Sequence, residues 1–110
     1  LEEWYRKNCF KIIEKKLIFF SKKIDVNYNS FKVRTYKTRL GCCSNKNNLS
    51  FNWKLIMMPE DIIDYVVVHE LCHIIHFNHS KYFWRKLSEY CPDYKKHKEW
   101  LRKNSDLLVW

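Results

Sequence analysis

Turn-forming residues are scarce in this sequence, which has one glycine and two prolines among 110 residues. Disorder is excluded because hydrophobic residues make up 46% of the chain and aromatic residues 17%, enough for a folded core. We therefore predict a single domain over residues 1–110. The chain begins with Leu1 rather than Met, so we expect the full-length protein to have a further N-terminal part.

Long apolar runs are also missing. No stretch approaches the ~20 consecutive apolar residues of a membrane span, and no charged-then-apolar signal segment opens the chain. The five cysteines are odd in number, irregularly spaced and without Cys-x-x-Cys pairs, which argues against a disulfide framework and a zinc ribbon. These absences predict a soluble protein of a reducing compartment, the cytoplasm, with no membrane partner.

Acidic residues are outnumbered: 12 Asp and Glu face 21 Lys and Arg, a formal charge of +9. A basic field raises the local concentration of anionic ligands. Nucleic acid, a nucleotide and an acidic peptide are all compatible with it, and charge alone does not choose between them.

The sequence His69-Glu70-Leu71-Cys72-His73 is where metal-ligand residues occur at helical spacing. At about 100° per residue, His69 and His73 share one helix face and can bind one ion. A catalytic zinc has three protein ligands and an open position for water, and Glu70 is a carboxylate that can take the water's proton. The motif predicts a catalytic Zn²⁺ site.

The third ligand is predicted to be His79, because a chain that leaves the helix can return to the same ion. His76 is the rival. It lies on the same face, but at 1.5 Å per residue it stands roughly 10 Å along the axis from His69. We therefore assign the metal to His69, His73 and His79, with Glu70 as the catalytic residue.

Periodicity predicts an α+β fold with an N-terminal helix, a short antiparallel β-hairpin or sheet, the motif helix and two further helices. The first helix is predicted over about 1–22 and two strands over 31–38 and 49–57, joined as a hairpin by a long irregular loop at 41–48. The motif helix is expected to start at Pro59 and carry the histidines to His76.

Two shorter helices are predicted after the motif, at about 81–90 and 93–103, followed by an apolar tail at 107–110. Asn78 and Ser80 can cap the first of them. The side chains expected to pack that helix against the motif helix are Tyr82, Phe83, Trp84 and Leu87.

Several stretches together match a known pattern. They are Trp4-Tyr5-Arg6, Arg39 to Ser44, Leu49 to Trp53, Pro59 to His73, Asn78-His79-Ser80, Phe83-Trp84 and Pro92-Asp93-Tyr94. On these residues the chain resembles the YgjP-like metallopeptidase domain family, zincin-type metal-dependent hydrolases. The resemblance implies zinc held by His69, His73 and His79, with Glu70 as general base.

Two departures accompany the resemblance. The family usually has Trp-Gly-Ser-Cys where this chain reads Leu40 to Cys43. Metzincin proteases share the histidine spacing, but they carry Gly at the position of His76 and a later methionine turn that this chain lacks. The chain is therefore not assigned to the metzincins.

Three functions remain open at this stage. The first is a zinc metallopeptidase using zinc-activated water, with the edge of the second strand aligning an extended peptide. The second is a nucleoside triphosphate pyrophosphatase, a label some members of the resembling family carry, with Lys32, Arg34 and Arg39 holding phosphates. The third is a nucleic-acid-binding module with structural zinc. Its three ligands argue against it, because structural sites normally have four.

The sequence also offers candidates for supporting roles at the site. Tyr65 and Asn52 are candidate donors to the developing oxyanion, although a structural role is favoured for each. Asp64 and Glu89 are candidate acceptors for the histidine N–H groups, as is a backbone carbonyl.

Overall fold

The computed structural model describes residues 1–107, so residues 108–110 of the predicted apolar tail lie outside the described part of the chain. The predicted α+β fold is confirmed. In chain order the elements are α1 (Glu2–Ile24), β1 (Ser30–Arg34), β2 (Gly41–Cys43), β3 (Asn48–Asn52), a 3-10 helix (Trp53–Met57), α2 (Glu60–Ile75), α3 (Lys81–Tyr90) and α4 (Tyr94–Asn104).

Helix α1 packs against the 3-10 helix, α2 and β1. It ends where Asp25 adopts a left-handed conformation (φ 64°) and its N–H donates to the carbonyl of Ser21. Its buried stripe consists of Cys9, Ile13, Leu17 and Ile24. Nζ of Lys16 lies 2.6 Å from Oδ1 of Asp64, which joins α1 to α2. Apolar packing and this ion pair together fix α1 against the helix that carries the histidines.

The sheet is where the prediction from sequence was wrong. The two predicted strands do not form a hairpin, because β1 pairs with β3 in parallel, with Ser30 opposite Asn48. The short strand β2 lies on the other side of β3, antiparallel to it, so the order is β1-β3-β2. Parallel neighbours need a crossover rather than a tight turn, and residues 35–47, including β2 itself, provide it.

Asn52 explains why both predicted strands are too long. Its Nδ2 donates to the carbonyls of Tyr36 and Arg39, so the chain after Arg34 turns towards Asn52 instead of continuing β1. Its Oδ1 accepts from the N–H of Lys54, which caps the 3-10 helix and ends β3. A buried side chain that binds backbone in this way leaves no mark in the apolar periodicity.

Helix α2 lies at the centre of the core. It starts at Glu60 after Pro59, as predicted, with Glu60 and Asp61 at the positive end of its dipole. Val66, Val67 and Val68 are fully buried, and α2 contacts α1, β2, α3 and α4. Packing on every side compensates for the low helix propensity of valine, and it holds the motif in a rigid setting.

Helices α3 and α4 close the domain around α2. Ser80 caps α3 by accepting from the N–H of Phe83. Phe83 and Leu87 are buried as predicted, whereas Tyr82 is 53% exposed, because it projects from the opposite face of α3. None of the helices in residues 1–107 is both long and apolar enough to cross a membrane.

Candidate metal centre

The structure brings His69, His73 and His79 together. His69 and His73 come from consecutive turns of α2, and His79 comes from the loop before α3. One ring nitrogen from each lies within 4.8 Å of the others, and the ring centroids are 4.6 to 5.2 Å apart. Three imidazoles that converge in this way can bind a single ion.

His76 is not part of this group. It is the residue at which α2 ends, and its ring stacks on Tyr82 at 6.2 Å between centroids. Its carbonyl oxygen lies 3.2 Å from Nδ1 of His73. The backbone of His76 therefore helps to orient a neighbouring imidazole, as a carbonyl commonly does for metal-binding histidines.

The residues present fit a zinc ion. Both ring nitrogens of His69 are buried without a hydrogen-bond partner, and burial, with His79 and Lys98 adding to it, holds the pKa of His69 well below its ordinary value. A buried imidazole that makes no hydrogen bond is costly even with the Glu70 carboxylate 3.3 Å from one nitrogen, and a metal ion bound to a ring nitrogen would reduce that cost. Three neutral imidazoles with no thiolate are typical of catalytic zinc.

An aromatic platform supports the three imidazoles. The ring of Phe83 stacks on His73 at 4.5 Å and meets His69 and His79 edge-on at 5.0 Å. Trp84 stacks on His79 at 5.6 Å. From the sequence, Phe83 and Trp84 were expected only to pack α3 against α2. The spacing of residues along one helix does not show which rings on other elements they contact.

The platform continues away from the histidines. Trp84 stacks on Tyr94 at 5.4 Å, and Nζ of Lys98 lies 4.2 Å from the centre of the Trp84 ring. His79 is exposed on a loop, so these contacts hold the indole on which its ring rests. His79, the candidate ligand on the loop, is thereby restrained by α3 and α4.

Glu70 is 2% exposed and sits beside the histidines. Its Oε2 lies 3.3 Å from Nδ1 of His69. Burial raises the pKa of Glu70 to about 7, while His73, His79 and Arg39 oppose the increase. A carboxylate with a pKa near neutrality is suited to take up and release a proton.

A cleft of about 180 Å³ opens over Glu70. Its walls are formed by Arg39, by strand β2, by helix α2 and by the loop that follows α2. The lining residues are Arg39, Gly41, Cys42, Cys43, Glu70, His73, Phe77 and His79. Space for a substrate therefore lies directly against two of the three histidines.

The predicted phosphate-binding set is divided by the fold. Arg39 lines this cleft, but Lys32 and Arg34 line a different groove, between β1 and α1. The prediction placed Arg39 directly after a strand over 31–38 whose basic face carries Lys32 and Arg34. That strand ends at Arg34, so the grouping was wrong.

The candidate oxyanion donors lie away from the cleft. Both N–H groups of the Asn52 amide are used by backbone carbonyls, which leaves none for a substrate. Tyr65 is fully buried behind His69, with ring centroids 5.9 Å apart, and is not among the cleft residues. Both side chains serve the structure around the centre.

The candidate carboxylate partners of the histidines are engaged elsewhere. Asp64 binds Lys16 of α1, and Glu89 lies 3.6 Å from Lys86 on the surface of α3. Of the candidate acceptors for the histidine N–H groups, the structure supports a backbone carbonyl, that of His76, which lies next to the His73 ring.

The strand edge next to the cleft belongs to β2. The predicted second strand, β3, is central and paired on both sides, so it offers no free edge. In the described part of the chain β2 pairs with β3 alone. Its outer edge is the one available beside Glu70 for an extended ligand.

Comparison with known proteins gives a family match and structural matches. The sequence model of the family described as "YgjP-like, metallopeptidase domain" matches residues 1–104. The crystal structure of the metallopeptidase zymogen of Pyrococcus abyssi abylysin is similar with a TM-score of 0.76, over 87% of this chain and 99% of that chain, at 19% identity. At 19% identity, this similarity shows only that the two chains share a fold. No curated protein matches the chain.

Proposed function

Because the chain belongs to the YgjP-like metallopeptidase family, we propose that it is a zinc peptidase with Glu70 as general base. The observation that carries the proposal is the convergence of His69, His73 and His79 beside a buried carboxylate at the floor of a cleft. This arrangement supports the proposal, because the proposed metal position and the proposed proton acceptor would both adjoin the space for a substrate.

The three histidines would hold the zinc ion through one ring nitrogen each. Zinc bound there would supply Lewis acidity, which lowers the pKa of water and polarises a carbonyl group. The chain contributes the geometry: α2 fixes two imidazoles, and the stack of Trp84 on His79 restrains the third.

Glu70 would accept the proton of the attacking water and donate it to the amine that leaves. Its burial supports this cycle, because a carboxylate withdrawn from water beside the histidines is a stronger proton acceptor than an exposed one. Gly41 supports it too, since the absence of a side chain there leaves room for the carboxylate.

Strand β2 would align the substrate. A peptide lying along its outer edge can form main-chain hydrogen bonds with residues 41–43, which places the peptide across the cleft. We therefore propose an extended segment of polypeptide as the substrate. We also propose a cytoplasmic location, because the described structure has five free cysteines and no disulfide.

The pyrophosphatase alternative has less support, because only Arg39 of its three proposed phosphate contacts lines the cleft. Lys32 and Arg34 line a different groove. The nucleic-acid alternative rests on overall charge, and charge by itself marks only non-specific attraction. Neither explains why a carboxylate is buried beside the histidines.

The test is activity profiling of the zinc-loaded protein on a peptide library and on nucleoside triphosphates. We expect peptide cleavage, and we expect Glu70→Gln to keep zinc but lose about 10²- to 10⁴-fold in rate, the usual contribution of a positioned general base. Glu89→Gln removes an exposed carboxylate on α3 and should behave like the parent. Turnover of triphosphates without any peptide cleavage would contradict the proposal.

A further inference from the structure

Arg39 provides the only lysine or arginine side chain in the lining of the cleft. Its guanidinium lies near the Cys42 thiol, with Nη1 3.7 Å from Sγ. In residues 1–107 no carboxylate forms an ion pair with Arg39; the arginines that do form one are Arg6 and Arg102. An arginine without a carboxylate partner is therefore presented to whatever occupies the cleft.

The backbone around Arg39 is fixed by a buried residue. Nδ2 of Asn52 donates to the carbonyl of Arg39 at 2.8 Å and to that of Tyr36 at 3.0 Å. The N–H of Asn52 donates to the carbonyl of Leu40 at 2.8 Å, and the Leu40 side chain is fully buried. Because the backbone is anchored on this side, the Arg39 side chain starts from a fixed position at the cleft rim.

The chemistry of the cleft selects the kind of group that Arg39 can bind. A planar guanidinium presents paired N–H donors that match a carboxylate or a phosphate. The acid already in the cleft, Glu70, is buried behind Gly41 next to the histidines. Glu70 is close enough to interact with the charge of Arg39 but forms no ion pair with it, so the guanidinium is free to pair with a carboxylate of the substrate.

We propose that Arg39 binds a carboxylate of the peptide substrate next to the scissile bond, which makes it a specificity-determining residue. This inference rests on the proposed peptidase function. The carboxylate is either the side chain of an acidic residue or the C-terminal carboxylate of the substrate. A triphosphate fits less well, because it needs several cations, and Lys32 and Arg34 lie in the other groove.

The first experiment uses peptides that differ only in Glu or Gln next to the cleaved bond, and peptides that differ only in a free or amidated C-terminus. We expect the zinc-loaded protein to prefer the carboxylate member of one of these pairs by about tenfold in kcat/KM, the order expected of a charged hydrogen bond. Arg39→Gln should remove the preference, and Arg39→Lys should retain part of it.

Arg34→Gln is the matched control, because it changes net charge equally but lies outside the cleft. A preference that falls equally in Arg34→Gln and Arg39→Gln reflects the general field of the protein and overturns the inference. Equal cleavage of both members of every pair also overturns it, while leaving the peptidase function in place.

A binding measurement separates this inference from the function on which it rests. Calorimetry with the zinc-loaded Glu70→Gln protein should show about tenfold tighter binding of the carboxylate peptide than of its neutral partner. Adding Arg39→Gln should abolish that difference. If no peptide is cleaved but this difference persists, the carboxylate site stands and the peptidase proposal fails. Binding of a nucleoside triphosphate alone through Arg39 overturns the inference.

Discussion

Gly41 and Glu70 are packed so closely that a β-carbon placed on Gly41 would lie 2.9 Å from Oε2 of Glu70. Real β-carbons are essentially never found so near another heavy atom. The only glycine of the chain is thus explained by space rather than by an unusual backbone angle, and the strand beside the cleft sets the position of the proposed base.

Gly41→Ala is expected to displace the Glu70 carboxylate and reduce peptidase activity by about tenfold to a hundredfold, since misplacements of about 1 Å have costs of that order. Zinc content should not change, because Gly41 contacts none of the ring nitrogens that converge. Steady-state kinetics measures the peptidase activity, and elemental analysis measures the zinc content. Ser50→Ala on β3 is the control, and parent-level activity in Gly41→Ala would contradict the role given to this contact.

The assignment of the third ligand leads to a comparison of two histidines. We expect His79→Ala to lose most of its bound zinc, as should His69→Ala and His73→Ala, because each removes one of three converging nitrogens. His76→Ala should keep the metal, since its carbonyl, not its ring, serves His73. Elemental analysis after dialysis distinguishes them. Equal loss in His79→Ala and His76→Ala would overturn the assignment.

The aromatic platform can be tested on α3. Trp84→Ala removes the ring on which His79 rests and should weaken zinc affinity by about tenfold, the lower end for residues that orient a ligand. Tyr82→Ala on the same helix removes an exposed ring that does not touch His79 and serves as control. Competition with a chelator measures both affinities. An unchanged affinity in Trp84→Ala would show that the loop alone positions His79.

Thiol reactivity should single out one cysteine of the five. Burial raises the pKa of Cys9 and Cys91 to about 11 and that of Cys43 and Cys72 to about 12. The thiolate is the reactive form, so these four thiols should react slowly. Cys42 lines the open cleft, and at pH 8 iodoacetamide should modify it first. Mass spectrometry of the digested protein identifies the site, and Cys42→Ser should remove the fast phase. Rapid modification of Cys72 instead would indicate that α2 is less well packed than the structure shows.

Local patterns predicted the helices because each has its own signal. Pro59 with two acids marks the start of α2, Ser80 marks the start of α3, and apolar spacing marks α1. The grouping of His69 with His73 follows from one helix turn. What these features share is that a few neighbouring residues determine them, so they can be recognised without knowledge of the rest of the fold.

The sheet and the cleft were not predicted correctly because partners distant in sequence determine them. Strand β2 has three residues and follows no alternating pattern, and it exists through its pairing with β3. Asn52 binds carbonyls 13 and 16 residues away. A buried asparagine can be a substrate contact or a backbone clamp, and only the fold shows which.

The proposed metal position is formed by residues that are close together in sequence, whereas the cleft also needs residues that are far apart in sequence. The three histidines come from residues 69–79, so once α2 and α3 are packed, bringing them together closes only a short loop at little entropic cost. The cleft wall requires β2 to dock on α2 after a long crossover. Variants altered in that crossover would therefore take up zinc while remaining inactive, so metal content by itself does not measure how much of a preparation is correctly folded.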